Sequence, residues 1–253
     1  MDLIFVIILG GLWGSFANVC IYRLPIGKGV VSGRSFCPNC KKLITWKDNI
    51  PIISFLFLNG KCRSCKKKIS FQYLIIEVIT IIYFLVVYYL YGITTTTLLF
   101  LILGLSFIII FFIDLKHYII PNILTFSLMI IGFIKSFDPN LNPIFPNFIN
   151  SLIGGIFGYL IIWSIIYFYK QIRKKEGMGL GDAKLLSAIG FWFGWISIPF
   201  VIFLSSIIAL LNVMPSLLKN SKSMSSQIPF GPYIIIGTLV YLFFENSLKS
   251  LLF

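Results

Sequence analysis

Three of the eight acidic residues sit where an acid is expensive. Asp2, Asp48, Asp138, Glu176 and Glu245 fall in loops or near the ends of apolar runs, where solvation accounts for them. Asp114, Asp182 and Glu77 lie at or within apolar segments. There an ionisable group costs roughly 2.5 to 3.5 kcal/mol, so a function is expected of each. Asp114 closes the run Phe111-Phe112-Ile113-Asp114-Leu115-Lys116, and Asp182 follows Gly177-Met178-Gly179-Leu180-Gly181. Two carboxylates held close cannot both ionise easily, so they share a proton. The ionised partner can take a proton from water attacking a peptide carbonyl. The protonated one can donate to the developing oxyanion or to the leaving nitrogen. No metal is needed. Gly179 and Gly181 let the backbone approach closely and adopt positive φ, which suits an extended substrate lying beside the pair. The competing reading is a pair of interfacial salt bridges, Asp114 with Lys116 and Asp182 with Lys184.

A second constellation lies in the polar stretch from Arg23 to Gln72. Cys37-Pro38-Asn39-Cys40 is followed, after twenty-one residues, by Cys62-Arg63-Ser64-Cys65. Four thiolates in two such knuckles can close a tetrahedral zinc site. A loop rich in Lys, Gly and Pro, with few large apolar residues, needs a metal of this kind to order itself. Two disulfides, or redox-active pairs, are the alternatives, and a reducing compartment disfavours the first. Cys20 stands apart inside the first apolar run and reads as a small buried side chain.

The elements that must position these groups are membrane helices. The chain is 58% hydrophobic and only 11% charged. A water-facing surface carries about 25% charge, so this chain belongs in a bilayer. Apolar runs near Leu3–Tyr22, Tyr73–Tyr91, Leu98–Ile113, Ile119–Phe137 and Phe148–Tyr169, two within Leu185–Leu218, and Gly231–Phe253 predict an all-α polytopic membrane protein of about eight transmembrane helices. Trp195 to Pro199 is expected to hold the turn between the sixth and seventh. No positively charged segment precedes Leu3, so the first run is expected to be a retained helix.

The cations set an orientation. Eleven lie between Arg23 and Lys68, Lys116 follows the third span, five lie from Lys170 to Lys184, and Lys219 and Lys222 precede the eighth. The alternate loops Gly92–Thr97 and Asp138–Asn147 hold none. The N-terminus is therefore expected outside, with the cysteine loop in the cytoplasm between helices 1 and 2. Lys135 and Lys249, the exceptions, are expected to reach the interface from span ends. An excess of 21 Lys and Arg over 8 acids could suggest a nucleic-acid partner. Cations spread between spans read as topology signals instead, so no nucleic acid is expected; Arg173-Lys174-Lys175 can also attract acidic lipids. Two spans separate Asp114 from Asp182, an even number, so both carboxylates face the same, cytoplasmic, side. His117 reads as an interfacial histidine, and Asn18 as either an interhelical hydrogen bond or part of a donor site.

Together these residues resemble the type IV prepilin peptidases. Gly179-Leu180-Gly181-Asp182 matches the GxGD motif of membrane aspartic proteases, and Asp114 before Ile120-Pro121 matches the partner aspartate. Gly14-Ser15-Phe16-Ala17-Asn18-Val19, Arg23-Leu24-Pro25, both cysteine knuckles, Asn49-Ile50-Pro51, Asn59-Gly60-Lys61-Cys62, Glu77 and Ile228-Pro229-Phe230-Gly231-Pro232 follow in the family's order.

The resemblance implies a two-part chain. Residues 1–92 would form the methyltransferase-associated part with its zinc loop, and residues 93–253 the aspartic peptidase. It implies cleavage of the basic leader of prepilins or pseudopilins at the cytoplasmic face of the cell membrane by Asp114 and Asp182, with Gly179, Gly181, Lys184 and Glu77 in support. Methylation of the new N-terminal residue with S-adenosylmethionine would follow, since the loop is complete, although no nucleotide-cradling glycine motif is visible. Two departures stand out. Asn122 follows Pro121 where many relatives have Asp, and Phe71–Ile76 replaces the commoner Arg-Tyr-Pro-Leu-Val before Glu77. The other readings are a general GxGD intramembrane protease and a proton- or ion-coupled transporter. The zinc knuckles and late motif argue against the first, and the lack of an internal repeat against the second.

Overall fold

A computed structural model describes residues 2–31, 33–141, 144–174, 178–218 and 228–252, the last stretch of α8 (215–218) and of α9 (245–252) by backbone alone. Lys175, Glu176, Gly177, Lys219, Lys222 and the side chains of Glu245 and Lys249 therefore lie outside the described residues. The helices are α1 (Asp2–Arg23), a short α2 (Ile53–Phe57), α3 (Phe71–Tyr91), α4 (Thr95–His117), α5 (Asn122–Lys135), α6 (Phe148–Arg173), α7 (Leu180–Phe193), α8 (Ser197–Leu218) and α9 (Gly231–Leu252). Two compact units divide within α4, Met1–Ile109 and Ile110–Phe253.

Among the described residues five helices are long and apolar enough to cross a membrane, namely α1, α3, α4, α6 and α8, with α5 and α9 as shorter apolar helices. The chain is a multi-pass membrane protein. The expected span Ile119–Phe137 is cut back to Asn122–Lys135 because Pro121, lacking an N–H, sits at the N-cap. The sixth and seventh spans separate at Gly194, which ends α7 with φ +80, ahead of the expected turn; Pro199 is already in the first turn of α8.

In the first unit, α1 and α3 run antiparallel in close contact. A Cβ added to Gly10 would lie 2.9 Å from Ile81 Cα, and one on Gly14 would lie 2.8 Å from Glu77 Cα. Only residues without a side chain allow such an approach, the small-xxx-small device of membrane helix pairs. Asn18 continues the register, its Nδ2 donating to the Tyr73 carbonyl at 3.1 Å. Of its two expected roles, the interhelical bond is the one formed. On the far side, the Tyr83 hydroxyl donates to the Phe100 carbonyl of α4 at 2.6 Å.

In the second unit, α6 and α7 pack through facing glycines. A Cβ on Gly158 would lie 2.7 Å from the Leu186 carbonyl oxygen, and Gly190 abuts the Gly154 backbone. Ser151 and Ser187 hydroxyls cross the seam to the carbonyls of Phe191 and Gly155 at 2.7 and 2.8 Å. Trp192, fully buried, donates its indole N–H to Leu128 of α5 at 2.8 Å.

Lys135 departs from expectation. Instead of reaching the interface it is buried, donating to the Trp192 carbonyl at 3.0 Å with its ammonium 4.0 Å from the Phe145 ring centre. The carbonyl lies in the last turn of α7, where helix carbonyls lack intrahelical donors and the dipole favours a cation.

Candidate active site

Asp114 lies in the last turn of α4, and the chain turns away directly beyond it. Tyr118, at φ +57, donates its amide to the Asp114 carbonyl at 2.9 Å, ending the helix. The carboxylate is buried, and its Oδ2 accepts the backbone amide of Gly231, the first residue of α9, at 2.9 Å. Asp182 is buried in the first turn of α7, three residues after the N-cap Gly179. An acid there is favoured by the helix dipole. Asp114 and Asp182 flank one buried side chain, Ile120: Gly231, bonded to Asp114, and Gly181, next to Asp182, both abut it. Neither carboxylate has a cationic partner among the described residues.

Ile120 spaces the three elements that meet here. It is buried, and Cβ atoms added to Gly181 and Gly231 would each lie 3.0 Å from it. The close approach expected of the glycines is therefore real at Gly181, but it is made to the protein's own Ile120. Positive φ is not adopted: Gly179 is extended at φ −81, ψ 145, and Gly181 is helical. The helix begins at Leu180, earlier than expected, which gives the glycines ordinary backbone angles.

Lys184 does not pair with Asp182. Its ammonium donates to Asn122 Oδ1 at 2.8 Å and lies 5.4 Å from the Phe126 ring centre. The residue that departs from the commoner family pattern is thus the partner of a residue named from the motif. Lys116 and His117 are exposed. The salt-bridge reading of the aspartates finds no support in this arrangement. Glu77 belongs to the first unit, where its Oε2 accepts the Ile52 amide at 2.7 Å.

The four knuckle cysteines converge within the first unit. Their sulfurs all lie within 4.8 Å of one another, with Cys37 and Cys65 at 3.9 Å, and none is in a disulfide. Sulfurs around a tetrahedral zinc at about 2.3 Å stand about 3.8 Å apart, so the cluster fits the ion. The two hairpins repeat one geometry. Cys37 and Cys62 accept at their carbonyls from the amides of Lys41 and Lys66, both residues have φ +57, and Phe36–Leu43 and Lys61–Lys68 form matching bridges. Reading the cysteine spacing alone misses this repeat, although Cys-x-x-Cys-Lys-Lys-x-Ile recurs at 37 and 62. Cys65 is held down to about 6, first by the Lys67 amide and next by the Asn39 side chain. Cys40 moves the other way, to about 11: the Lys42 amide pulls it down, but partial desolvation and the neighbouring thiols of Cys37, Cys65 and Cys62 together outweigh that pull. Crowded thiols without a cation keep protons that a divalent metal would release. Lys67 bonds Asn39 across the hairpins at 2.8 Å, and Arg63 grips Asp48 with contacts of 2.6 to 2.9 Å.

Comparison with known proteins matches two separate regions of the chain. Residues 8–91 match the bacterial peptidase A24 N-terminal domain, and residues 101–214 match the type IV leader peptidase family. The chain is 35% identical over 266 residues to the prepilin leader peptidase/N-methyltransferase of Pseudomonas aeruginosa, covering 96% of this chain and 90% of that protein. The chain belongs to the type IV leader peptidase family. Like-named leader peptidases of Aeromonas hydrophila and Vibrio cholerae are 35% and 36% identical, covering 93% and 91% of this chain and 88% and 92% of their own. No solved structure matches the chain. In this leader peptidase the four-cysteine cluster lies wholly inside the first matched region, and Asp114 and Asp182 inside the second.

Proposed function

We propose that Asp114 and Asp182 are the catalytic pair of this type IV leader peptidase, cutting the leader from prepilins or pseudopilins. The chain is an aspartic endopeptidase and N-methyltransferase by family. The observation that carries the residue assignment is the convergence of two buried carboxylates on Ile120 with no cationic partner among the described residues, one held by a backbone amide and the other at a helix N-terminus. Sharing one proton, the pair supplies both halves of peptide hydrolysis. The ionised carboxylate takes a proton as water adds to the scissile carbonyl. The protonated one donates to the oxygen, and a proton passes to the nitrogen as the C–N bond breaks. The Gly231 amide fixes one oxygen of Asp114, leaving Oδ1 for the water or the partner acid. Lys184, turned to Asn122, leaves the pair uncharged by a neighbour.

The knuckle cysteines Cys37, Cys40, Cys62 and Cys65 would hold zinc, which supplies structural closure of the loop, all four positions being filled by sulfur. Residues 1–92 would serve methylation, with S-adenosylmethionine as methyl-donating co-substrate, and residues 93–253 proteolysis. The cation-rich loops support a site at the cytoplasmic face of the inner membrane, with the N-terminus outside and lipids around the helices.

Purified protein incubated with a synthetic prepilin segment and methyl donor tests this. Mass spectrometry should show a cleaved, methylated product for wild type and no cleavage for Asp114→Asn or Asp182→Asn. Cleavage surviving in either variant removes the pair from the mechanism.

A further inference from the structure

The cysteine-bearing loop does not stay outside the helices that flank it. Pro51 packs against α1 so closely that a Cβ on Gly11 would lie 3.3 Å from it, and Ile52 donates its amide to Glu77 of α3. Gly11 is twelve residues from the loop end of α1, or about 18 Å along a helix rising ~1.5 Å per residue. Glu77 is six residues, about 9 Å, into α3. Both belong to helices apolar enough to cross a membrane. The turn at Ile50–Ile52 therefore reaches well below the polar ends of its own helix pair. Ile52 holds φ +61 and ψ −52, a conformation a β-branched residue adopts only when its surroundings enforce it. The Glu77 carboxylate on its amide and Pro51 on Gly11 are the enforcing contacts.

Directly after this turn, α2 carries Ile53, Leu56 and Phe57 at i, i+3 and i+4, the spacing of one helix face. These side chains are 50%, 62% and 85% exposed, while Phe55 turns inward to stack edge-on against Phe71 and cover Gly60. The apolar face points away from the protein, on an element whose preceding turn is held against Gly11 of α1 and Glu77 of α3.

We propose that Ile50–Phe57 is a re-entrant segment of the first unit, latched by Glu77, whose Ile53–Leu56–Phe57 face lies against lipid acyl chains. Its backbone at that depth is tolerable because the turn is covered by α1 and α3 and its free amide is taken by Glu77. The loop is thereby tied into the membrane between its two knuckles, since Cys40 precedes the segment and Cys62 follows it. Glu77 is accordingly a positioning residue for this segment.

The test uses the full chain in lipid nanodiscs, with a nitroxide coupled through a genetically encoded keto-phenylalanine at position 57, so that all five cysteines remain. Collision with oxygen, enriched in lipid, is compared with collision with a water-soluble nickel chelate. Position 82 on the exposed side of α3 and position 31, 94% exposed in the loop, give the two references. The expected oxygen-to-nickel ratio at 57 falls within about twofold of that at 82 and about tenfold above that at 31. A ratio matching position 31 overturns the proposal, as does weak collision with both probes, which would mean protein covers the face. Glu77→Leu, which removes the acceptor for the Ile52 amide, combined with the label, should move the ratio at least threefold toward that of position 31. A ratio that Glu77→Leu leaves unmoved overturns the latch. A label at Leu56 repeats the test if position 57 does not yield folded protein.

Discussion

The amide of Gly231 donates to Asp114 Oδ2 at 2.9 Å, joining the last turn of α4 to the first residue of α9 across more than a hundred positions of sequence. A Cβ there would lie 2.7 Å from that oxygen and 3.0 Å from Ile120. Gly231→Ala must therefore push the carboxylate or the spacer aside. The expected loss is about 10²-fold in kcat/KM for leader cleavage, the scale of a displacement near 1 Å, with helical content unchanged by circular dichroism. Wild-type cleavage by the alanine variant would remove this bond from the machinery.

The two halves of the chain should fail separately. Asp182→Asn keeps a good residue in the first turn of α7 and removes the charge. Cleavage is expected to drop by at least about 10³-fold, as when a member of a catalytic unit is lost. Methyl transfer to a pre-cleaved pilin segment should persist, read by mass spectrometry. Parallel loss of both activities would count against the assignment of methylation to residues 1–92.

Cys62→Ser, or dialysis against a strong chelator, should take zinc from about one ion per chain toward none. The loop between Arg23 and Gln72 should then become the preferred site of limited proteolysis, because its hairpins bury little apolar surface of their own. Unchanged zinc content in the serine variant would count against the four-sulfur set.

Asn122→Asp would set a carboxylate against Lys184 in place of an amide. The pair sits at the surface, so the gain is expected to be about 0.5 kcal/mol, shrinking with added salt. Thermal unfolding in detergent at low and high salt reads it. A salt-independent change would point to another cause.

Lys135→Met should cost about 2 kcal/mol, the scale of a charged hydrogen bond left unmade, and lower the melting temperature. The same substitution at Lys116, which is exposed, should do nothing measurable.

The helical architecture, the burial of Asp114 and Asp182 and the clustering of the four cysteines were legible because each rests on a local rule: apolar length, an acid at an apolar run, and cysteine spacing. What was not legible depends on contacts between distant positions. Nothing beside Lys135 in sequence announces the Trp192 carbonyl that turns it inward. Ile52 carries no residue-type signal for a positive φ, because its conformation is enforced by Glu77 and Pro51 from outside. Gly179 and Gly181 were assigned a loop conformation from composition, whereas α7 begins at Leu180 and makes them helix start. Asn122 drew notice only as a departure, and its bond to Lys184 needed two helices in place.

The matched hairpins set an order on how this protein is made. Cys62 and Cys65 follow their counterparts by twenty-five positions, and α3 begins six residues after Cys65. The first hairpin therefore leaves the ribosome with α1 already synthesised and no partner to share a metal with. The four-sulfur site becomes complete only as the next hydrophobic helix starts to emerge. With zinc in the site proposed above, metal capture and the return of the chain into the bilayer fall in the same short interval of translation, so zinc starvation during synthesis should harm the protein more than zinc withdrawal afterwards.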